Sequence, residues 1–337
     1  MCRLSGSNAV NQLLTMLVVV VFSALTGLSQ SGDRKASPPY APAYYTGTQS
    51  EAPRLVVFPP GRAQVVIPLP LPSLLRATAF TPDGRAIFAT INTIKSPRAS
   101  GHPARLGPPR LIRVDLSPVH VTTVADLVGL DWVARMAVAP RQDKILFTAG
   151  GWKGNTSCDL FEIDASGGDF KMLLPNFGCA LGGISPDGAK ISVDRDLGLA
   201  VIDLATGAAV RLGDWLAGGA WSPDGKWIAA LRIDPPSDAP RPRLSKTVLI
   251  DANDLSLRRD LGGESDHDTI WSPDSRYLLY SEWSGRCLGH NAIDPGPTPL
   301  TLFTMNVETG KRSAVKESHC KVNAYLKIGW VSLDAVQ

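Results

Sequence analysis

The residues best suited to chemistry stand in one short run, Glu264-Ser265-Asp266-His267-Asp268. Carboxylates flanking an imidazole can ligate a divalent cation, or can hold the imidazole in the tautomer a general base needs. The same run also suits a solvated loop in which an aspartate caps a turn. His290 and His319 are two more imidazoles. With Cys2 set aside, the cysteines form an even set: Cys158, Cys179, Cys287 and Cys320. An even set in an exported chain suggests two disulfides out of three pairings, and the absence of any C-x-x-C spacing speaks against zinc. Trp132 and Trp215, each following an aspartate, could stack on sugar rings or pack between sheets. No nucleophile–base pair and no convincing ligand cluster is visible, so no catalytic residue, metal or cofactor is assigned.

Charge narrows the partners. The 337 residues carry a formal net charge of +3, with no run rich in lysine and arginine. Nucleic-acid binding is therefore not expected.

What positions these residues is a repeat. FTPDGRAIFAT at 80, ISPDGAKISVD at 184, WSPDGKWIAAL at 221 and WSPDSRYLLYS at 271 are variants of one unit. Ser-Pro-Asp-Gly fits a β-turn position by position: Ser hydrogen-bonds at the first corner, Pro presets φ, Asp suits the third position, and Gly takes the left-handed fourth. Alternation follows each turn, with Ile87 and Ala89, Ile191 and Val193, Ile228 and Ala230, and Leu278 and Tyr280 on one face. Period two means strand. A second hairpin recurs further on, its first strand ending at Asp115, Asp164, Asp203, Asp251 or Asn306. A decayed anchor survives at Ala139-Pro140, and Ile328-Gly329-Trp330 repeats the lead-in without the turn.

The anchor prolines, at 82, 140, 186, 223 and 273, have the spacing of four-stranded blades. Such small sheets cannot bury both faces alone and stack around an axis. Five units begin at anchors, and Trp330 opens a sixth whose missing strands RLVVF and AQVVIPL, 54–58 and 63–69, can supply. Closing the ring with both chain ends removes open edges. The expectation is an all-β, six-bladed β-propeller of four-stranded antiparallel blades over residues 51–337. Residues 1–31 read as a signal peptide, Arg3 preceding the apolar run Leu13–Leu28. Residues 32–50, rich in Pro, Ser, Gly and Tyr, read as a flexible linker.

The Ser-Pro-Asp-Gly-plus-strand unit resembles the WD40-like (PD40) repeat of TolB-type propellers. That resemblance implies a six-bladed ring of the kind found in bacterial periplasmic proteins. The same repeat serves Tol components, the propellers of prolyl-oligopeptidase-like peptidases, and polysaccharide lyases. No separate α/β segment is read before the ring, so a Tol-complex role is not expected, and no G-x-S-x-G elbow occurs. Some lyases with this repeat carry histidine-rich metal sites in the channel. By that resemblance His267, His290 and His319 would converge on one rim with Asp266 and Asp268.

In such blades the anchor turns share one rim, while second-to-third strand loops and crossovers share the other. The second rim receives the long insertions 96–109, 235–243 and 284–299, where binding is usually found. The expected function is a non-catalytic, exported, monomeric scaffold, periplasmic or secreted, that binds a protein or glycan on this rim. It would touch a membrane only through the signal segment if uncleaved. The alternative is a propeller lyase or hydrolase using a divalent metal in the channel. Cys158 and Cys179 occupy the same places in blade two as Cys287 and Cys320 in blade five, so these pairs are expected to close. A non-reduced peptide map should show both linkages and no free or crossed thiols.

Overall fold

The computed structural model describes residues 40–46, 53–71, 77–96, 105–139, 144–151, 157–195, 198–233, 245–265, 269–283, 300–317 and 327–336. It contains six four-stranded antiparallel sheets. The first three strands among the described residues complete the last blade: β1 (Tyr40–Thr46), β2 (Arg54–Val57) and β3 (Val65–Pro68). Blade one is β4 (Thr78–Phe80), β5 (Ala86–Ser96), β6 (Arg105–Leu116) and β7 (Val119–Asp126). Blade two is β8 (Trp132–Val138), β9 (Lys144–Gly150), β10 (Asp159–Asp164) and β11 (Lys171–Leu174). Blade three is β12 (Leu181–Ile184), β13 (Lys190–Arg195), β14 (Gly198–Asp203) and β15 (Ala209–Asp214). Blade four is β16 (Leu216–Trp221), β17 (Trp227–Ile233), β18 (Ser245–Asp251) and β19 (Arg258–Ser265). Blade five is β20 (Ile270–Trp271), β21 (Tyr277–Trp283), β22 (Leu300–Asn306) and β23 (Arg312–Glu317). The first strand of blade six, β24 (Lys327–Ser332), comes from the other end of the chain. Each blade's first strand contacts the first strand of the next, and β24 contacts β4, so the ring is closed.

Closure differs from the expected boundary in one respect. The strand that pairs with β24 is Tyr40–Thr46, from the segment whose composition reads as linker; Ala43 faces Gly329 and Tyr44 faces Ile328. The ring therefore starts at Tyr40 rather than at 51. Pro42 can sit in this strand because its carbonyl, at the end of the β2 ladder, accepts from Phe58 N–H (2.9 Å). Its missing donor removes no interior rung of the sheet. Ala41 and Ala43 are fully buried against Leu55, Ile87, Ile112 and Val331, in the core between blades six and one.

Each blade buries both faces because it lies between two neighbours. On β5, Ile87 and Ala89 join the core with blade six, while Phe88 joins the core with blade two beside Phe147 and Phe161. Ile191 and Val193, then Ile228 and Ala230, fill the equivalent places two and three blades on. At about 25 cal/mol per Å² of apolar area, these interfaces supply most of the driving force for folding.

The anchor turns follow one hydrogen-bond plan. Thr81, Ser185, Ser222 and Ser272 each donate a hydroxyl to the aspartate two residues on, at 2.5–2.7 Å. The same hydroxyls accept from the N–H five residues on, at 2.8–2.9 Å. The fourth position is left-handed, with φ of 64°, 74° and 77° at Gly84, Gly188 and Gly225. Ser275 holds φ 60° without being glycine, and its hydroxyl accepts from Asp224 N–H of the preceding blade (2.9 Å). Hydrogen bonds from the Ser185 hydroxyl and Ala189 N–H hold the Asp187 carboxyl below the usual carboxylate range. Burial pushes Asp224 upward, but the Ser222 hydroxyl and Lys226 outweigh it and leave that carboxyl lowered as well.

Two tests follow from this geometry. A Cβ on Gly329 of β24 would run into the Phe80 ring of blade one. Gly329→Val should therefore cost about 1–3 kcal/mol through overpacking and lower the thermal midpoint, whereas Gly61→Asn, in open space at φ 69°, should change it little. Carboxyls depressed in the folded state contribute stability above their unfolded pKa and lose it as pH falls toward the folded value. Denaturant midpoints should thus stay level down to about pH 5 and decline below about pH 4, with a shallower decline in Asp187→Asn.

Candidate functional site

Strand polarity sorts the connections onto two ends of the ring. The anchor turns and the Asp164, Asp203, Asp251 and Asn306 turns share one rim. These are short and self-bonded: Asp203 accepts from Ala205 N–H, Thr206 N–H and the Thr206 hydroxyl, and Asn306 from Glu308 N–H, Thr309 N–H and the Thr309 hydroxyl. The second-to-third strand connections and the crossovers share the other, here called the loop rim.

On the loop rim the blade-one insertion is partly a strand extension. β5 and β6 stay paired to Ser96 opposite Arg105, with two irregularities after Asn92, so the hairpin projects beyond its neighbours. Asn92 braces it by donating to the Gly107 carbonyl (2.9 Å), and Arg110 pairs with Asp126 (2.7 Å). In blade four the paired strands end at Ile233 and Ser245, and in blade five at Trp283 and Leu300, placing both ends of each insertion on the same rim. Beside them Trp132 covers Gly150 and remains 41% exposed. Trp215 forms the sharp crossover between β15 and β16 with φ 60°, flanked by Asp214, which Arg211 holds at 2.6 Å.

Polar groups tie second strands to the crossovers and to the first strand of the next blade. Thr148 donates to the Cys179 carbonyl (3.1 Å), Thr90 accepts from Ala77 N–H (3.2 Å), and Asp194 accepts from Gly218 N–H (2.9 Å). Cys158 and Cys179 form the expected disulfide, their Cα atoms 5.0 Å apart, stapling the blade-two loop to its crossover. Beside it Asn176 N–H donates to Asp159 (2.7 Å). These contacts make the rim a set of braced supports from which loops depart.

Asp266, His267, Asp268, His290, His319, Cys287 and Cys320 lie outside the described residues. The strands flanking 266–268, β19 and β20, end and begin on the loop rim, as the crossover reading requires. Among the described residues no cluster of three His, Cys, Asp or Glu side chains could hold a metal ion.

Sequence reasoning missed a cavity at the opposite mouth of the channel. It measures about 160 Å³, and its lining includes the equivalent residue of every blade: Phe80, Val138, Ile184, Trp221, Trp271 and Trp330. All six precede the first residue of an anchor or its remnant. The signal was present as a column of apolar residues, but in sequence such a column reads as core.

No family model and no curated protein matches the chain. Solved structures do match in fold. A putative TolB from Agrobacterium tumefaciens superposes with a TM-score of 0.56 at 14% identity, covering 87% of this chain and 97% of its own. A structure described as a nidogen/laminin complex gives 0.57 at 11% identity, with 87% and 98% covered. A puromycin hydrolase S511A mutant complexed with PGG gives 0.50 at 17%, covering 79% of this chain and 42% of the hydrolase. The chain thus has the TolB-like six-bladed propeller fold.

The disulfide generates a test. Replacing Cys158 and Cys179 together by serine should lower stability by about 2–4 kcal/mol, read as a fall in denaturant midpoint under oxidising but not reducing conditions.

Proposed function

We propose that this protein is an exported, non-catalytic scaffold whose loop rim binds a protein or glycan of the cell envelope. One observation carries the reading: the insertions of blades one, four and five all leave from the rim that the disulfide and the Thr148, Thr90 and Asp194 bonds brace. The anchor rim, by contrast, is built of short self-bonded turns. A rigid support under variable loops is the arrangement that recognition surfaces use, because ordering costs fall on few residues. Exposed Trp132 adds an amphipathic anchor of the type that dominates interface energetics. A disulfide between Cys158 and Cys179 supports an oxidising, periplasmic or extracellular location. The TolB-like fold is in keeping with it. A monomer suffices for this role, since closure of the ring uses only the chain's own ends.

The enzymatic reading, a lyase or hydrolase with a divalent metal held by Asp266, His267 and Asp268, is separated by composition. Elemental analysis of the purified protein, with His267→Ala as control, should find no stoichiometric metal. A metal present in the parent and lost in the variant would replace the scaffold reading. For the scaffold, Trp132→Ala and replacement of 235–243 by a short Gly-Ser turn should each weaken retention on purified envelope glycan or protein about tenfold or more, with thermal midpoints near the parent's. Retention unchanged in both variants would reject the loop rim as the binding face.

A further inference from the structure

A polar depression of about 280 Å³ lies on the anchor rim where blades four and five meet. The two anchor turns that border it are joined where the Ser275 hydroxyl accepts from Asp224 N–H. The residue after the turn is basic on both sides, Lys226 and Arg276, where blade three has Ala189. A third cation, Arg259 of β19, reaches across from blade four. Its guanidinium lies over the Trp227 ring, 5.6 Å from the centroid, and donates to the Val307 carbonyl of blade five. Val307 N–H in turn donates to the Arg276 carbonyl (3.0 Å), so the backbone that carries Arg276 is tied to the group that holds Arg259.

Positive charge is left over in this depression. Lys226 pairs with Asp224 at 3.4 Å, whereas neither Arg259 nor Arg276 has a carboxylate partner among the described residues. A guanidinium already fixed by a ring and a carbonyl loses little freedom when an anion arrives, and most of its five N–H donors remain for it. Polar groups of another kind complete the lining. The Asn306 oxygen is used inside its own turn, accepting from Glu308 N–H, Thr309 N–H and the Thr309 hydroxyl, which leaves the amide N–H groups as donors. Glu308 brings a carboxylate that suits a hydroxyl and repels a second acid.

We propose that this depression binds a phosphate monoester carried on a small hydroxylated molecule, with the phosphate between Arg259 and Arg276 and the hydroxyls toward Asn306 and Glu308. One guanidinium fork satisfies a planar carboxylate, whereas a dianion with three terminal oxygens can use both forks. The volume, just below the range of drug-sized sites, admits such a ligand and little more. None of the loop-rim residues takes part, so failure of this site would leave the scaffold reading untouched.

Calorimetry on the full chain should show glycerol 3-phosphate binding more tightly than inorganic phosphate, and glycerol not binding. Arg259→Gln and Arg276→Gln should each weaken glycerol 3-phosphate about tenfold or more, the loss expected of one charge-assisted contact. Glu308→Gln should bring glycerol 3-phosphate and inorganic phosphate closer in affinity. Sedimentation with phosphatidylcholine vesicles, with and without phosphatidate, separates two sources of the same group: co-sedimentation that needs phosphatidate and is lost in Arg276→Gln assigns it to a membrane surface, and its absence assigns it to a soluble molecule. No binding of glycerol 3-phosphate, equal binding of inorganic phosphate by the parent, or an affinity unchanged in Arg276→Gln would overturn the site. Arg276, whose side chain makes no inter-blade bond among the described residues, decides the matter by itself if Arg259→Gln does not fold.

Discussion

Every blade of this protein depends on having a neighbour on each side. A four-stranded sheet with Ile87 and Ala89 on one face and Phe88 on the other has no side to give to water, so burial of both faces requires the next sheet in each direction. The requirement propagates around the circle and is met only if the circle closes. Closure falls to β24 and β1, from opposite ends of the chain, whose pairing runs from Tyr40–Ser332 to Tyr45–Lys327. β24 also meets blade one closely, with Gly329 pressed on Phe80 and Ser332 N–H donating to the Gly84 carbonyl (2.9 Å).

Local chemistry serves this architecture by making each reversal decide its own geometry. The anchor hydroxyl and carboxylate satisfy one another and the backbone within six residues, so four turns of different flanking sequence adopt one conformation. Where Ser275 replaces glycine, the left-handed conformation persists and the side chain gains a partner in the preceding blade. A turn that elsewhere is purely local there becomes an inter-blade contact.

The same construction yields two chemically different mouths to one channel. At the loop end, polar groups on second strands hold the crossovers, and insertions of unequal length leave from fixed points. At the anchor end, six equivalent positions converge on the axis, and departures from sixfold equivalence decide what space remains. Tryptophan in three adjacent blades and smaller side chains in the other three make that mouth lopsided. Binding in a propeller of this kind is thus a matter of how repeats differ, whereas stability is a matter of how they agree.

The sequence by itself determined the blades, since Ser-Pro-Asp-Gly followed by period-two alternation is local information that turn and strand geometry read directly. It determined the Cys158–Cys179 bridge for the same reason, because equivalent positions in a repeat are equivalent in space. It did not reveal β1: Tyr40–Thr46 carries Pro42 between two alanines, at the end of a segment with the composition of a linker, and only the ladder offered by β24 makes it a strand. Nor did it reveal the anchor-end cavity. Phe80, Val138, Ile184, Trp221, Trp271 and Trp330 are far apart in the chain and individually look like core, and whether they fill the axis or leave a space depends on distances that only the closed ring sets.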